Sequence, residues 1–399
     1  FTRLQRAMED AAPPEGAAHA ALDDLPDALG LALQHLGAAL ADHFQGEPLA
    51  TGPLLDFHFE VQHLLKLTDT LGSHSLLDMT QGPGDLQALH GWAAAGAGGL
   101  PAADVDPLRA NNNDSDDGLC LNLRNVVPAP FMRPRWAGLH GCTLFSATLS
   151  PPDYQTHLLG LPEGTGWLDV QPMFPAEHLC VQVAERLSTR YAHRSRSLQA
   201  LAQVLTRQFD AHPGNYLAFF SSHDYLRQAA ELLQRQRPDI PQWRQERTMD
   251  AAARRAFLQR FEPQGQGIGF AVLGGVFAEG VDLPGSRLIG AFVATLGLPP
   301  VSPVQEAFKA RLDQLFGPDH GYADLVPAMQ KVVQAAGRVL RTPEDRGWLW
   351  LLDDRYRRPA VRRLLPAWWL EDRDRAPTSA SVDPLPRSSE ARPSPARQR

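Results

Sequence analysis

Two arginines close an apolar stretch near the C-terminus, in Gln334-Ala335-Ala336-Gly337-Arg338-Val339-Leu340-Arg341. On a helix, residues at i, i+4 and i+7 share a face, which predicts that Gln334, Arg338 and Arg341 project together. Two neighbouring guanidiniums repel unless an anion neutralises them, and their planar forks match phosphate oxygens in a bidentate way. Gly337 is expected to keep that face open to a close neighbour, at a cost of about 1 kcal/mol against alanine. The plain alternative is a solvated arginine face. The apolar flanks and the strand expected next favour a site turned toward another domain.

A second set, Phe277-Ala278-Glu279-Gly280-Val281-Asp282-Leu283-Pro284-Gly285, follows an apolar strand and Gly274-Gly275. Glu279 and Asp282, with Gly280 between them, suit a ribose, a metal-bound water or a neighbouring arginine. A glycine- and proline-rich turn with solvated acids is the alternative. Ser146-Ala147-Thr148-Leu149 ends another apolar run, and its hydroxyls suit hydrogen bonds across a cleft, against the default of a local hydroxyl turn. In Phe219-Phe220-Ser221-Ser222-His223, the serines suit capping of the next helix, or contact with a phosphate. Capping is the simpler reading. His193, His212 and His223 lack metal-ligand spacing, so no metal site is expected. Trp348, Trp350, Trp368 and Trp369 are assigned to packing.

The elements that must hold these residues alternate. Strands are predicted over Leu179–Val183, Tyr216–Phe220, Gly269–Leu273, Leu288–Val293 and Trp348–Asp353. Helices are predicted over Ser197–Phe209, Asp224–Arg237, Ala251–Phe261, Val304–Leu315, Pro327–Leu340 and Ala360–Leu370. Uninterrupted apolar strands between helices signal a parallel sheet covered on both faces, with ligands at the C-terminal strand ends. Further strands are expected over Cys120–Val127 and Cys142–Ser146, with a short helical or irregular connection at Pro130–Leu139. Residues 1–118 read as helices, notably Leu29–Phe44 and Phe57–Leu71, followed by loops at Ala93–Ala103 and a polar linker at Asn111–Asp117. Residues 371–399, rich in Pro, Ser and Arg, are expected to be disordered.

The 399 residues are 43% hydrophobic and carry a net charge of −7. That suits two or three domains with real cores and excludes collagen-like, coiled-coil and wholly disordered chains. Residues 1–118 carry −14, and the rest +7, so a polyanion is expected to meet the back of the chain. No stretch of 18 apolar residues predicts a membrane span. Cys120, Cys142 and Cys180 are odd in number and far apart, which favours a reducing compartment, read here as the cytoplasm.

In order and spacing, the elements at 146–149, 219–222, 278–285 and 334–341 resemble the C-terminal half of a superfamily 2 helicase of the XPD/DinG type. Leu298-Pro299-Pro300, Ala310-Arg311-Leu312, Asp345-Arg346-Gly347 and Leu352-Asp353-Asp354-Arg355 add to the likeness over roughly 119–370. The resemblance implies a helical Arch-like insertion at 1–118 and the end of a first RecA-like motor domain at 119–178. A second RecA-like domain would occupy 179–370. It implies Arg341 as the arginine finger, Arg338 as a second γ-phosphate contact and Gln334 tuning the site. Glu279, Gly280, Asp282 and Gly337 would line the ATP cleft. Ser146 and Thr148 would couple hydrolysis to strand movement, and Ser221 and Ser222 would lie near the DNA backbone. The implied activity is ATP-dependent, 5′-to-3′ unwinding in replication or repair, on single-stranded or forked DNA and with repair or replication proteins as possible partners.

One departure is large. A P-loop needs Gly-Lys-Ser/Thr after a strand. None of Lys66, Lys309 and Lys331 sits in that setting, and no Asp-Glu-Ala-His box occurs. The main ATP and Mg²⁺ contacts, and any iron–sulfur cluster, would then belong to a missing upstream half. The chain, which starts with Phe1, is expected to be a fragment or partial product, inactive alone. The rival reading is a helicase-derived module that binds nucleic acid or a partner without turnover.

Overall fold

A computed structural model of the chain describes residues 1–45, 52–81, 118–278 and 281–369. The expected loops at 93–103 and 111–117, the expected tail at 371–399, and Glu279 and Gly280 lie outside the described residues.

The N-terminal part contains helices Thr2–Asp10, Asp27–Gln45 and Pro53–Thr68, in keeping with their amphipathic spacing. The reading of 1–118 as helices alone needs correction. Strands β1 (His19–Leu22) and β2 (Ser75–Gln81) also lie there, and both join an antiparallel sheet with β3 (Leu119–Asn125). The β2–β3 register sets Leu77 opposite Leu123 and Leu76 opposite Arg124. Asp78, fully buried in β2, takes Arg124 Nε at 2.6 Å and Nη2 at 3.2 Å, so this sheet carries its charge as a bidentate pair.

The expected parallel sheet is present. Its strands are β4 (Leu179–Val183), β5 (Asn215–Phe220), β6 (Gln242–Arg244), β7 (Gly267–Val272), β8 (Gly290–Ala294) and β9 (Gly347–Leu351). All run parallel in the order β4-β9-β8-β5-β7-β6. Every residue of β5 is buried because helices cover both faces. Tyr216, Ala218 and Phe220 face one core, with Leu201 and Leu205 of helix Arg194–Ala211 and Leu226 and Leu233 of helix His223–Gln236. Leu217 and Phe219 face the other, with Phe257 of helix Ala251–Gln259 and Val332 and Ala335 of helix Leu325–Ala336. Each fully buried side chain of this size contributes about 1.5–3 kcal/mol.

A third cluster ties the two parts together. Leu76, Val126 and Val127, with Tyr154 and Leu158 of helix Pro152–Leu159, pack against Phe308 and Leu312 of helix Pro303–Phe316 and against Tyr322 and Val326. This contact brings the segment after residue 140 beside helix Leu325–Ala336.

Three further expectations differ from the structure. Cys142–Ser146 forms no strand and is exposed, because no described strand runs alongside to pair with it. Helix Leu325–Ala336 stops four residues short of the expected Leu340. The helix expected over 360–370 is reduced to Pro359–Arg362, followed by a single turn at Ala367–Trp369. Among the described residues, no helix is long and apolar enough to cross a membrane.

Candidate functional site

Because the helix ends at Ala336, Gln334, Arg338 and Arg341 do not share one helical face. Gly337 follows the helix in a right-handed conformation, and the chain then turns. A Cβ at Gly337 would meet the carbonyl oxygens of Val333 and Gln334, within its own chain, and no neighbour from elsewhere. The expected close approach at Gly337 is therefore absent among the described residues. The two arginines nevertheless converge. Arg338 donates from Nη1 to the Val281 carbonyl at 3.0 Å, and from Nε and Nη2 to the Ala278 carbonyl at 3.3 and 3.2 Å. Arg341 Nη2 donates to the same Val281 carbonyl at 2.9 Å. Turn and main-chain acceptors replace the helical face as the cause of convergence.

Asp282 Oδ1 lies 3.3 Å from Arg341 Nε, and the Asp282 side chain is 76% exposed. That Nε is buried yet finds no hydrogen-bond acceptor in line with it among the described residues. A guanidinium N–H held only by an exposed carboxylate, beside a second guanidinium, fits an anionic oxygen, so the residues present suit a phosphate.

Gln334 turns the other way. Its side-chain amide donates to the Thr148 hydroxyl at 3.2 Å, and Thr148 N in turn donates to Ser146 Oγ at 3.2 Å. Gln330, one turn earlier on the helix, donates to the carbonyls of Thr148 at 3.0 Å and Ser150 at 3.3 Å. The hydroxyl pair thus docks on helix Leu325–Ala336, and the arginines follow directly from that helix. Ser222 caps helix His223–Gln236 by accepting from Tyr225 N at 3.3 Å. The neighbouring Ser221 hydroxyl is buried without a partner among the described residues.

The helicase C-terminal domain model matches residues 205–372. Over these residues the chain resembles the C-terminal domain of XPD/DinG-type helicases. The chain is 32% identical over 117 residues to the general transcription and DNA repair factor IIH helicase subunit XPD of Arabidopsis thaliana, covering 29% of this chain and 15% of that protein. It is 34% identical over 82 residues to the ATP-dependent DNA helicase DinG of Photobacterium profundum, covering 20% and 12%. It is 24% identical over 251 residues to a regulator of telomere elongation helicase 1 homolog of Culex quinquefasciatus, covering 56% and 25%. The chain thus spans a quarter or less of the length of these curated relatives. In fold it is similar to a solved apo XPD, with a TM-score of 0.52 at 14% identity over 91% of this chain and 66% of that one.

The structure adds residues that helical and strand spacing alone did not single out. Gln330 is one, and its signal was the i, i+4 step before Gln334. Asp345 is another. It is buried and accepts from Arg341 N at 2.7 Å, Thr342 N at 2.8 Å and the Thr342 hydroxyl at 2.9 Å. Burial pushes its carboxyl up, but these donors outweigh burial and hold it below the ordinary carboxylate range. Asp345 therefore fixes the turn that presents Arg341. Asp353, fully buried at the end of β9, accepts from Thr189 N and hydroxyl and from Arg355 N, Nε and Nη2. Burial again opposes ionisation, and Arg355 and Thr189 overcome it, so this carboxyl too is lowered. Trp350 Nε1 donates to Gln208 Oε1 at 2.8 Å, and Trp348 stacks on His212 at 4.1 Å. Among the described residues, no cluster of three or more His, Cys, Asp or Glu has the arrangement to hold a metal ion.

Proposed function

We propose that this chain is the regulatory and second-motor portion of an ATP-dependent DNA helicase. In this reading it couples ATP hydrolysis to single-strand translocation and duplex unwinding in the 5′-to-3′ direction, during replication or repair in the cytoplasm. The observation that carries the reading is the convergence of Arg338 and Arg341 on the Val281 carbonyl, with Arg341 Nε buried beside the exposed Asp282 carboxylate and without an aligned hydrogen bond among the described residues.

ATP and Mg²⁺ supply the phosphoryl chemistry when bound, with their main contacts on a P-loop half that this sequence does not contain. The chain's own residues then act on charge and position. Arg341 is the arginine finger and Arg338 the second γ-phosphate contact. A guanidinium reaching across the cleft stabilises charge that spreads over the transferring phosphoryl, worth about 10³–10⁵ in rate. Gln334 tunes the site, and Glu279, Gly280, Asp282 and Gly337 line the cleft. Asp282 receives the Arg341 guanidinium when no phosphate is present. Ser146 and Thr148, through Gln334, report the state of that cleft to the rest of the motor. Ser221 and Ser222 lie toward the DNA backbone.

In domain terms, residues 1–118 are the Arch-like insertion, 119–178 the end of the first motor domain and 179–370 the second motor domain. Stimulation of ATP hydrolysis by single-stranded DNA, in the parent protein and its Arg341→Ala variant, tests the proposal. A parent that binds DNA without hydrolysing ATP would instead establish the binding module.

A further inference from the structure

The loop after β4 reads Ser188-Thr189-Arg190-Tyr191-Ala192-His193-Arg194-Ser195-Arg196. Of the chain's six tyrosines, five are buried, and Tyr191 alone stands out at 87% exposed. Packing therefore does not account for it. The Arg194 guanidinium carbon lies 5.4 Å from the centre of the Tyr191 ring and 5.1 Å from that of Tyr225. Tyr225 in turn meets Phe220 edge to face at 5.3 Å. Phe220, Tyr225, Arg194 and Tyr191 thus form a stack that begins in the core at the end of β5 and ends on a ring in water.

The stack is held in place. Arg194 Nε donates to the Thr189 carbonyl at 3.1 Å, and Asp353 holds Thr189 through its N–H and hydroxyl. Ser197 Oγ donates to the Ser188 carbonyl at 2.6 Å, closing the loop onto the next helix. The same stack touches Ser222, which accepts from the Tyr225 amide. Its location is the C-terminal end of the sheet, where ligands of parallel α/β folds sit. Arg186 and His193 of this loop, and Arg196 in the first turn of helix Arg194–Ala211, are exposed. The acids nearby are already engaged, Asp354 by Arg190 at 2.6 Å and Glu185 by Arg357 at 3.1 Å.

A planar ring with a cation behind it, an open outer face and a surplus of positive charge around it suits a nucleobase whose phosphates run through that charge. We propose that Tyr191 is a stacking platform for one base of bound single-stranded DNA, with Arg194 covering its inner face. This rests on the helicase reading above and extends it from the serines at 221–222 to a base contact.

Fluorescence anisotropy of the full chain, with a labelled oligo(dT) and an abasic strand of equal length, tests it. Tyr191→Ala is expected to bind oligo(dT) about five- to a hundredfold more weakly, the value of one lost base stack. Its binding to the abasic strand and its salt dependence should match the wild type, since no charge is removed. Tyr191→Phe, which keeps the ring, should bind oligo(dT) like the wild type. Equal binding of oligo(dT) by wild type and Tyr191→Ala would overturn the platform while leaving the helicase reading intact. Equal weakening on both strands would also overturn it, since the ring would then act through the loop. A wild-type chain that binds neither strand would overturn the nucleic-acid reading together with the platform.

Discussion

Gln334 and Thr148, 186 residues apart in sequence, meet through a 3.2 Å hydrogen bond from the side-chain amide to the hydroxyl. This bond joins the segment that precedes the parallel sheet to the helix whose end carries both arginines. Two hydrogen bonds from the Gln330 side-chain amide to the carbonyls of Thr148 and Ser150 reinforce it. The pair thus gives a direct link between the helix that precedes Arg338 and Arg341 and residues 146–150.

A double-mutant cycle of Gln334→Ala and Thr148→Val should return a coupling of about 1 kcal/mol in urea unfolding, the net value of one such hydrogen bond. Gln330→Ala should raise amide hydrogen exchange across 146–151. Additive single effects would remove this contact from the account.

The two lowered carboxyls predict an acid dependence. Asp345 and Asp353 have folded pKa values below that of an unfolded aspartate, about 3.9, so the unfolded chain takes up protons first. Their stabilisation is complete above the ordinary carboxylate pKa and is lost as pH falls through the lowered folded values. Urea unfolding between pH 7 and pH 3 should show that fall. Asp353→Asn should cost about 3 kcal/mol at pH 7, because it breaks a buried charge network, and should flatten the acid slope. An unchanged slope would contradict the assignment.

Gly347 couples the core to the arginine turn. A Cβ there would stand 2.2 Å from Val339 Cγ1 and 3.0 Å from the Ile289 carbonyl oxygen. Val339 lies between Arg338 and Arg341 and is buried, so it has nowhere to move. Gly347→Ala is expected to cost about 1–3 kcal/mol in thermal unfolding, as overpacked cores do. A variant as stable as the wild type would mean that the Val339 side of the turn is loose.

The parallel sheet was legible because β5, β7 and β8 are apolar without interruption, as strands buried on both faces must be. β6 was not, since Gln242-Trp243-Arg244 offers one apolar residue between two polar ones. The end of helix Leu325–Ala336 was missed for a related reason. Val339 and Leu340 continue the apolar spacing and are buried, but in a turn whose geometry is set by Asp345 and by the carbonyls of Ala278 and Val281. Cys142–Ser146 carries a strand's composition, yet a strand needs a pairing edge, and no described residues provide one. β1 (His-Ala-Ala-Leu) is too short and alanine-rich to read as a strand, and β2 (Ser-Leu-Leu-Asp-Met-Thr-Gln) lacks both strict alternation and an uninterrupted apolar run. The helical spacing expected to bring Gln334, Arg338 and Arg341 to one face does not hold: a turn brings the two arginines together, and Gln334 points to Thr148 instead.

Steady-state ATP hydrolysis by the parent protein, with and without single-stranded DNA, tests the central claim most directly. The wild type should be strongly stimulated by the strand. Arg341→Ala should lose about 10³-fold or more in turnover while still folding and binding DNA, and Arg341→Lys should not restore it, because a point charge lacks the guanidinium fork. A parent that folds and binds DNA but turns over no ATP, or an Arg341→Ala variant as active as the wild type, would contradict the account.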